Sequence, residues 1–187
     1  MSMRILKNVS MAAVLTLLMG LAPAAMASAS NQTTPSPSDK QAKTLQDRIQ
    51  HSLLMLPYYG VFDEIAYKVE GDTVTLAGKV RRPLLKDEAE QAVRKVDGVS
   101  KVVNYIEILP LSSMDDSLRL MTFRAVYSRP GFEKYGLQAI KPIRIIVKNG
   151  NVTLMGLVGS EFDKIQAEMA ARSVPFAFSI KNELAIG

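Results

Sequence analysis

Apolar and polar residues alternate with period two along Ile65, Tyr67 and Val69, and again along Val74, Leu76, Gly78 and Val80. Gly71-Asp72 lies between the two runs, so the pattern predicts a half-buried β-hairpin. The period then changes. Leu85, Ala89, Ala92 and Val96 recur at helical spacing behind Pro83, which suits a first helical turn, and Gly98 stands where a C-terminal cap is expected. Val102, Asn104, Ile106 and Ile108 return to period two until Pro110 ends the strand. Upstream, Leu45, Ile49, Leu53 and Leu56 mark a helix that stops at Pro57.

The same order follows once more. A helix is predicted from about Asp115 to Tyr127, with Leu118, Met121, Thr122, Ala125 and Val126 inward. Ile143, Ile145 and Val147 make one strand face, Asn149-Gly150 a hairpin turn, and Val152, Leu154 and Val158 the next strand. A helix from about Glu161 to Ser173 and a strand through Ile180, Leu184 and Ile186 close the unit. The two halves share residues as well as order. Val74-Thr75-Leu76-Ala77-Gly78-Lys79-Val80 returns as Val152-Thr153-Leu154-Met155-Gly156-Leu157-Val158, a constant offset of 78 positions. The offset also matches Lys86 with Lys164, Glu90 with Glu168, Arg94 with Arg172, Asn104 with Asn182 and Ile108 with Ile186. A period this long suits a duplicated small domain.

The expected fold class is α+β: two tandem αββαβ domains, residues 40–110 and 111–187. A strand-helix-strand crossover makes the last strand parallel to the one before the helix, so each three-stranded sheet is mixed. Both helices of a copy should cover one sheet face and leave the other partly open.

The N-terminus has a different character. Arg4 and Lys7 precede an apolar stretch from Val9 to Leu21, and Ala25-Met26-Ala27 is a cleavage site for a secretory signal peptide over 1–27. No cysteine follows it to carry a lipid, and the expected location is the periplasm or the medium. Residues 28–39 are rich in Ser, Thr and Pro and read as a disordered linker. Removing Arg4 and Lys7 lowers the formal charge from +5 to +3, too mild an excess to hold nucleic acid by counterion release. With no cysteine, each copy must be held by its apolar core.

The V-T-L-x-G-x-V strand and the later V-x-N-x-[IL]-x-I strand, in this order of elements, resemble the BON domain. The first copy carries the likeness at Gly71 to Val80, Lys86, Glu90, Ala92, Val96 to Val99, Val102, Asn104 and Ile106. The second carries it at Asn149 to Val158 and Lys181 to Ile186. The resemblance implies periplasmic or envelope proteins that bind phospholipid surfaces or protein partners, some linked to osmotic stress or envelope integrity. The second copy departs where Asp97-Gly98-Val99 becomes Pro175-Phe176-Ala177, and its segment 128–142 is longer than its counterpart.

Candidate contact residues follow from these differences. Lys79, Arg81, Arg82 and Lys86 cluster at the strand-to-helix turn of the first copy, where the second has Leu157, Gly159, Ser160 and Lys164. They form either an anionic headgroup site or a solvated face; each cation near an anionic surface contributes about 1 kcal/mol. Phe176 and Phe178, between Arg172 and Lys181, form either an interfacial wedge or a cover for the core or the first domain, and the sequence favours the cover. Gly78 and Gly156 read as strand kinks or tight contacts with the covering helix, and Gly98 and Gly150 as turn residues.

Chemistry is not evident. One histidine, His51, and no cysteine give neither a common zinc site nor a histidine-dependent triad. No glycine-rich phosphate loop opens a helix. The acidic pairs Asp87-Glu88, Asp115-Asp116 and Glu161/Asp163 are explained by helix dipoles, and Met55, Met114, Met121, Met155 and Met169 by core filling. The expectation is a non-enzymatic envelope protein without cofactor or metal. Its partner is an anionic phospholipid surface or, as the alternative, an envelope protein held chaperone-like on the open sheet face or in the groove between copies.

Overall fold

The structure is a computed structural model and describes residues 37–187. The signal peptide expected over 1–27, and the linker up to residue 36, lie outside them. Helix α1, Pro37–Leu54, already includes the last positions of that expected linker. Strands β1 (Glu64–Glu70) and β2 (Thr73–Val80), helix α2 (Pro83–Arg94) and strand β3 (Lys101–Ile108) complete the first lobe. The second comprises α3 (Ser113–Tyr127), a one-turn helix α4 (Glu133–Gly136), β4 (Ile143–Lys148), β5 (Asn151–Val158), α5 (Glu161–Arg172) and β6 (Ser179–Ile186).

Each lobe holds a mixed sheet of three strands with the hairpin pair antiparallel and the crossover pair parallel. The topology follows from the two periodicities. Val74, Leu76 and Val80 point to one side of β2 and meet Leu85, Ala89 and Val93 of α2 and Leu45, Ile49 and Leu53 of α1 in one core. Val152, Leu154 and Val158 do the same against Ala167, Ala170 and Ala171 of α5 and Leu118 and Val126 of α3. Ser112 and Ser160 cap α3 and α5 by accepting from Asp115 N and Asp163 N. The cap of α2 is Lys95; Gly98 stands three residues further on, with φ +96, and turns the chain toward β3.

The repeated glycines have positive φ within their strands, and their close neighbour is not the covering helix. A Cβ on Gly78 would collide with the carbonyl oxygen of Glu64, and one on Gly156 with that of Pro142. The close approach is therefore to the chain of the antiparallel partner strand, and the covering helix is not involved.

The repeated Asn is a clamp between helix and sheet. Asn104 Nδ2 donates to the Lys86 carbonyl at 3.0 Å and to Glu90 Oε2 at 3.2 Å, while its Oδ1 accepts from Ile106 N. Asn182 makes the same three bonds to Lys164, Glu168 and Leu184 N. Arg94 and Arg172 then hold the far oxygen of each glutamate. Four of the identities repeated by the 78-residue offset thus serve one hydrogen-bonded device.

The lobes differ in what covers the second face of the sheet. β4 is buried on both sides: Ile143, Ile145 and Val147 in its own core, Arg144 and Ile146 on the other face. The loop before β1 meets this strand. Ile145 N donates to the Val61 carbonyl at 2.8 Å, and Arg144 Nη1 to the Gly60 carbonyl at 2.9 Å with its guanidinium 4.6 Å from the Tyr59 ring centre. Burial there pushes the Tyr59 hydroxyl up to about 12 and also raises the carboxyl of Glu64, despite Arg144 Nε at 3.9 Å. Residues on either side of the duplication thereby form one compact unit.

Candidate functional site

Of the cations in the first copy's turn, Arg81 reaches the second lobe. Arg81 N donates to Asp63 Oδ1 at 2.7 Å, its guanidinium lies 5.9 Å from the Phe62 ring centre, and Nη1 stands 3.5 Å from Asp116 Oδ1. Asp116 also binds Nη1 of Arg119, which is 1 % exposed and donates through Nη2 to the Val147 carbonyl at 2.7 Å. Lys79 acts on Glu107, which forms an ion pair with Lys148 of β4; that pairing holds the Glu107 carboxyl below its usual range. Arg82 is exposed and stacks on Tyr58 at 4.6 Å. Lys86 contributes its carbonyl to the Asn104 clamp. So Arg81 is the cation of this turn that partners the second lobe, Arg82 faces solvent, and Lys79 and Lys86 are half-buried.

Asp115 and Asp116 have different duties from those a helix dipole would set. Asp115 is buried, and its two oxygens accept from Asn149 N and Gly150 N at 2.8 Å each, fixing the β4–β5 hairpin. Gly150 in turn lies beneath Phe178: a Cβ there would come within 2.6 Å of the ring, and Phe178 N donates to the Gly150 carbonyl at 2.8 Å. The start of α3 therefore connects the basic turn, through Asp116, with the phenylalanine loop, through Asp115.

Neither phenylalanine is inserted into a pocket, contrary to the cover favoured from sequence. Phe176 is 69 % exposed and Phe178 is 76 % exposed. Phe176 also has φ +69, a backbone conformation that a bulky L-residue enters at a cost. Leu111 and Met114, which sequence reading passed over or assigned to the core, are exposed just before Asp115. Their chance of being found lay in the linker position of Leu111 and in the place of Met114 in a first helical turn. Met55 and Met169 are exposed as well, so core filling holds for none of these three methionines.

The cations that flank the phenylalanines are balanced. Arg172 binds Glu168 through Nε and Nη2, and Lys181 lies 2.5 Å from Glu183. The four sequence candidates of the second lobe thus divide into two neutralised cations and two uncovered rings. Among the described residues, no three His, Asp or Glu side chains gather as a metal-ligating group, and no helix is long and apolar enough to cross a membrane.

The BON domain profile matches residues 41–110, in the first lobe, and 132–187, the second lobe beyond α3. The chain belongs to the BON domain family. A search of curated proteins finds no match. Among solved structures, the chain is similar to the C-terminal domain of CdsD, a structural protein of the type III secretion system of Chlamydia trachomatis, at 16 % identity and a TM-score of 0.29. That alignment covers 76 % of this chain and 64 % of the other, less than two thirds of its length. A second CdsD structure aligns at 13 % identity and a TM-score of 0.28, covering 77 % of this chain and 92 % of that one. BON membership marks both lobes as binding-type domains with an envelope-associated role.

Proposed function

We propose that this BON protein is an exported, non-enzymatic envelope protein that attaches weakly and reversibly to anionic phospholipid surfaces, in support of envelope maintenance or osmotic stress. The observation that carries the reading is the pair Phe176 and Phe178, exposed on a loop fastened to a rigid hairpin. Rings held outward on a stiff support enter the headgroup region without an ordering cost at the moment of contact. Leu111 and Met114 are further exposed apolar side chains, just before Asp115. Arg82 supplies an accessible positive charge, and the mild positive charge of the mature chain favours an anionic leaflet over a neutral one. The cations bound in the joint add little, so the salt dependence should be shallow.

The test is co-flotation of the mature protein with vesicles of phosphatidylglycerol or of phosphatidylcholine, over a salt series. Capture by the anionic vesicles, weakened in the double variant Phe176→Ser/Phe178→Ser at unchanged melting temperature, supports the reading. Equal flotation of variant and wild type would remove it.

A further inference from the structure

The 78-residue offset provides an internal control for α5. Its inner face is built of small residues, Ala167, Ala170 and Ala171, while Phe162, Ile165 and Met169 stand on the outside at 67, 49 and 53 % exposure. These three fall within about 60° of arc and extend for about 10 Å along the helix. The equivalent positions of α2, also exposed, are Leu84, Asp87 and Gln91. One lobe therefore folds with two polar residues where the other presents Ile165 and Met169. The fold does not require this stripe, and leaving it in water is unfavourable.

The charge along one flank indicates what covers it. Glu161 begins the helix and Arg172 ends it, on the same flank of the stripe, with Lys164 and Glu168 between them. Arg172 remains 61 % exposed, with Glu168 on one edge of its guanidinium. This flank carries no cationic excess for an anionic surface. It does match its own reverse: turned end for end, Glu161 of one helix meets Arg172 of another, Phe162 meets Met169, and Ile165 lies near the two-fold axis. Such self-complementarity is what an isologous contact needs. Antiparallel helix dipoles and a ring-to-thioether contact favour the same arrangement.

We infer that the exposed face of α5 is a homodimer contact, in which a second copy of this chain packs antiparallel across the Phe162–Ile165–Met169 stripe. The inference is independent of the lipid reading. A patch of three side chains per copy is small for an interface, so the dimer is weak, about micromolar or weaker.

Sedimentation velocity of the full mature chain over a concentration series, without lipid, tests it. The weight-average mass should rise toward twice the chain mass. Ile165→Asp/Met169→Gln, which installs the residues of the first copy, should stay monomeric throughout with an unchanged melting temperature. Glu161→Arg, a surface change, should weaken association severalfold at low salt and leave the fold intact. A wild-type chain monomeric at all concentrations, or a dimer indifferent to both variants, would overturn the inference. So would a monomer whose vesicle capture is lost in Ile165→Asp/Met169→Gln, since a membrane would then be the occupant.

Discussion

Phe176 occupies in the second lobe the place that Gly98 occupies in the first, with the same left-handed backbone, φ +69 against +96. Glycine enters that region freely; other L-residues do so at about 1–2 kcal/mol. The ring gains little burial in return. Phe176→Gly should therefore hold or slightly raise the melting temperature while it lowers vesicle capture. Thermal unfolding and flotation of the same sample decide the matter: a fall of several degrees would make Phe176 a packing residue.

A second prediction concerns the paired glycines. A side chain on Gly156 meets the Pro142 carbonyl, and one on Gly78 the Glu64 carbonyl, and neither obstacle is a flexible group. Each glycine also has a positive φ. Gly156→Ala and Gly78→Ala should each cost more than about 3 kcal/mol in urea unfolding. Gly71→Ala, with open space around its Cβ, should cost much less.

The helix clamps give a paired expectation. Asn104→Ala and Asn182→Ala each strand a backbone N–H and a carbonyl and remove a bond to glutamate. Each should lose about 2 kcal/mol in denaturant titration, by similar amounts because the geometry is repeated. A large loss in one copy and none in the other would show that the two clamps have diverged.

Acid stability should depend on Asp163. Its carboxylate is held below the usual range, first by the Lys134 ammonium at 2.8 Å and then by the Tyr135 hydroxyl at 2.7 Å. Glu168 is lowered likewise, by Arg172 first and Asn182 next. A carboxyl depressed in the folded state stabilises above its unfolded value and loses that contribution as pH falls through the folded one. The melting temperature should therefore drop as pH falls below about 4. Asp163→Asn should start lower at neutral pH and show a flatter acid limb. Glu64, raised by burial, acts in the opposite sense and gains stability as pH falls through its folded value.

Local periodicity carried most of the fold. Val74 to Val80 and Val152 to Val158 announced their strands because a half-buried sheet imposes alternation, and Asn104 and Asn182 stood out because the duplication repeats them. What escaped notice depends on contacts between elements far apart in the sequence. Nothing near Arg119 predicts a buried guanidinium, since its partners Val147 and Asp116 come from a distant strand and an adjoining turn. Ile146 reads as a solvent-side residue, yet it is buried. Segment 128–142 yielded only its length, yet its Tyr135 reaches Asp163 and Gly159 N and locks the start of α5. For Phe176 the signal was present: the offset assigns it a glycine position, which called for a question about backbone and not only about packing.

Because β4 has lobe one against its back, the second repeat has given up independence. Cut from its neighbour, a fragment beginning near residue 111 would lose Phe62 from the edge of its core and the Gly60 and Val61 carbonyls that accept from Arg144 and Ile145, and should be less stable than the whole chain. Ancestry made two interchangeable pieces; the handshake at this strand has made them a single inherited part.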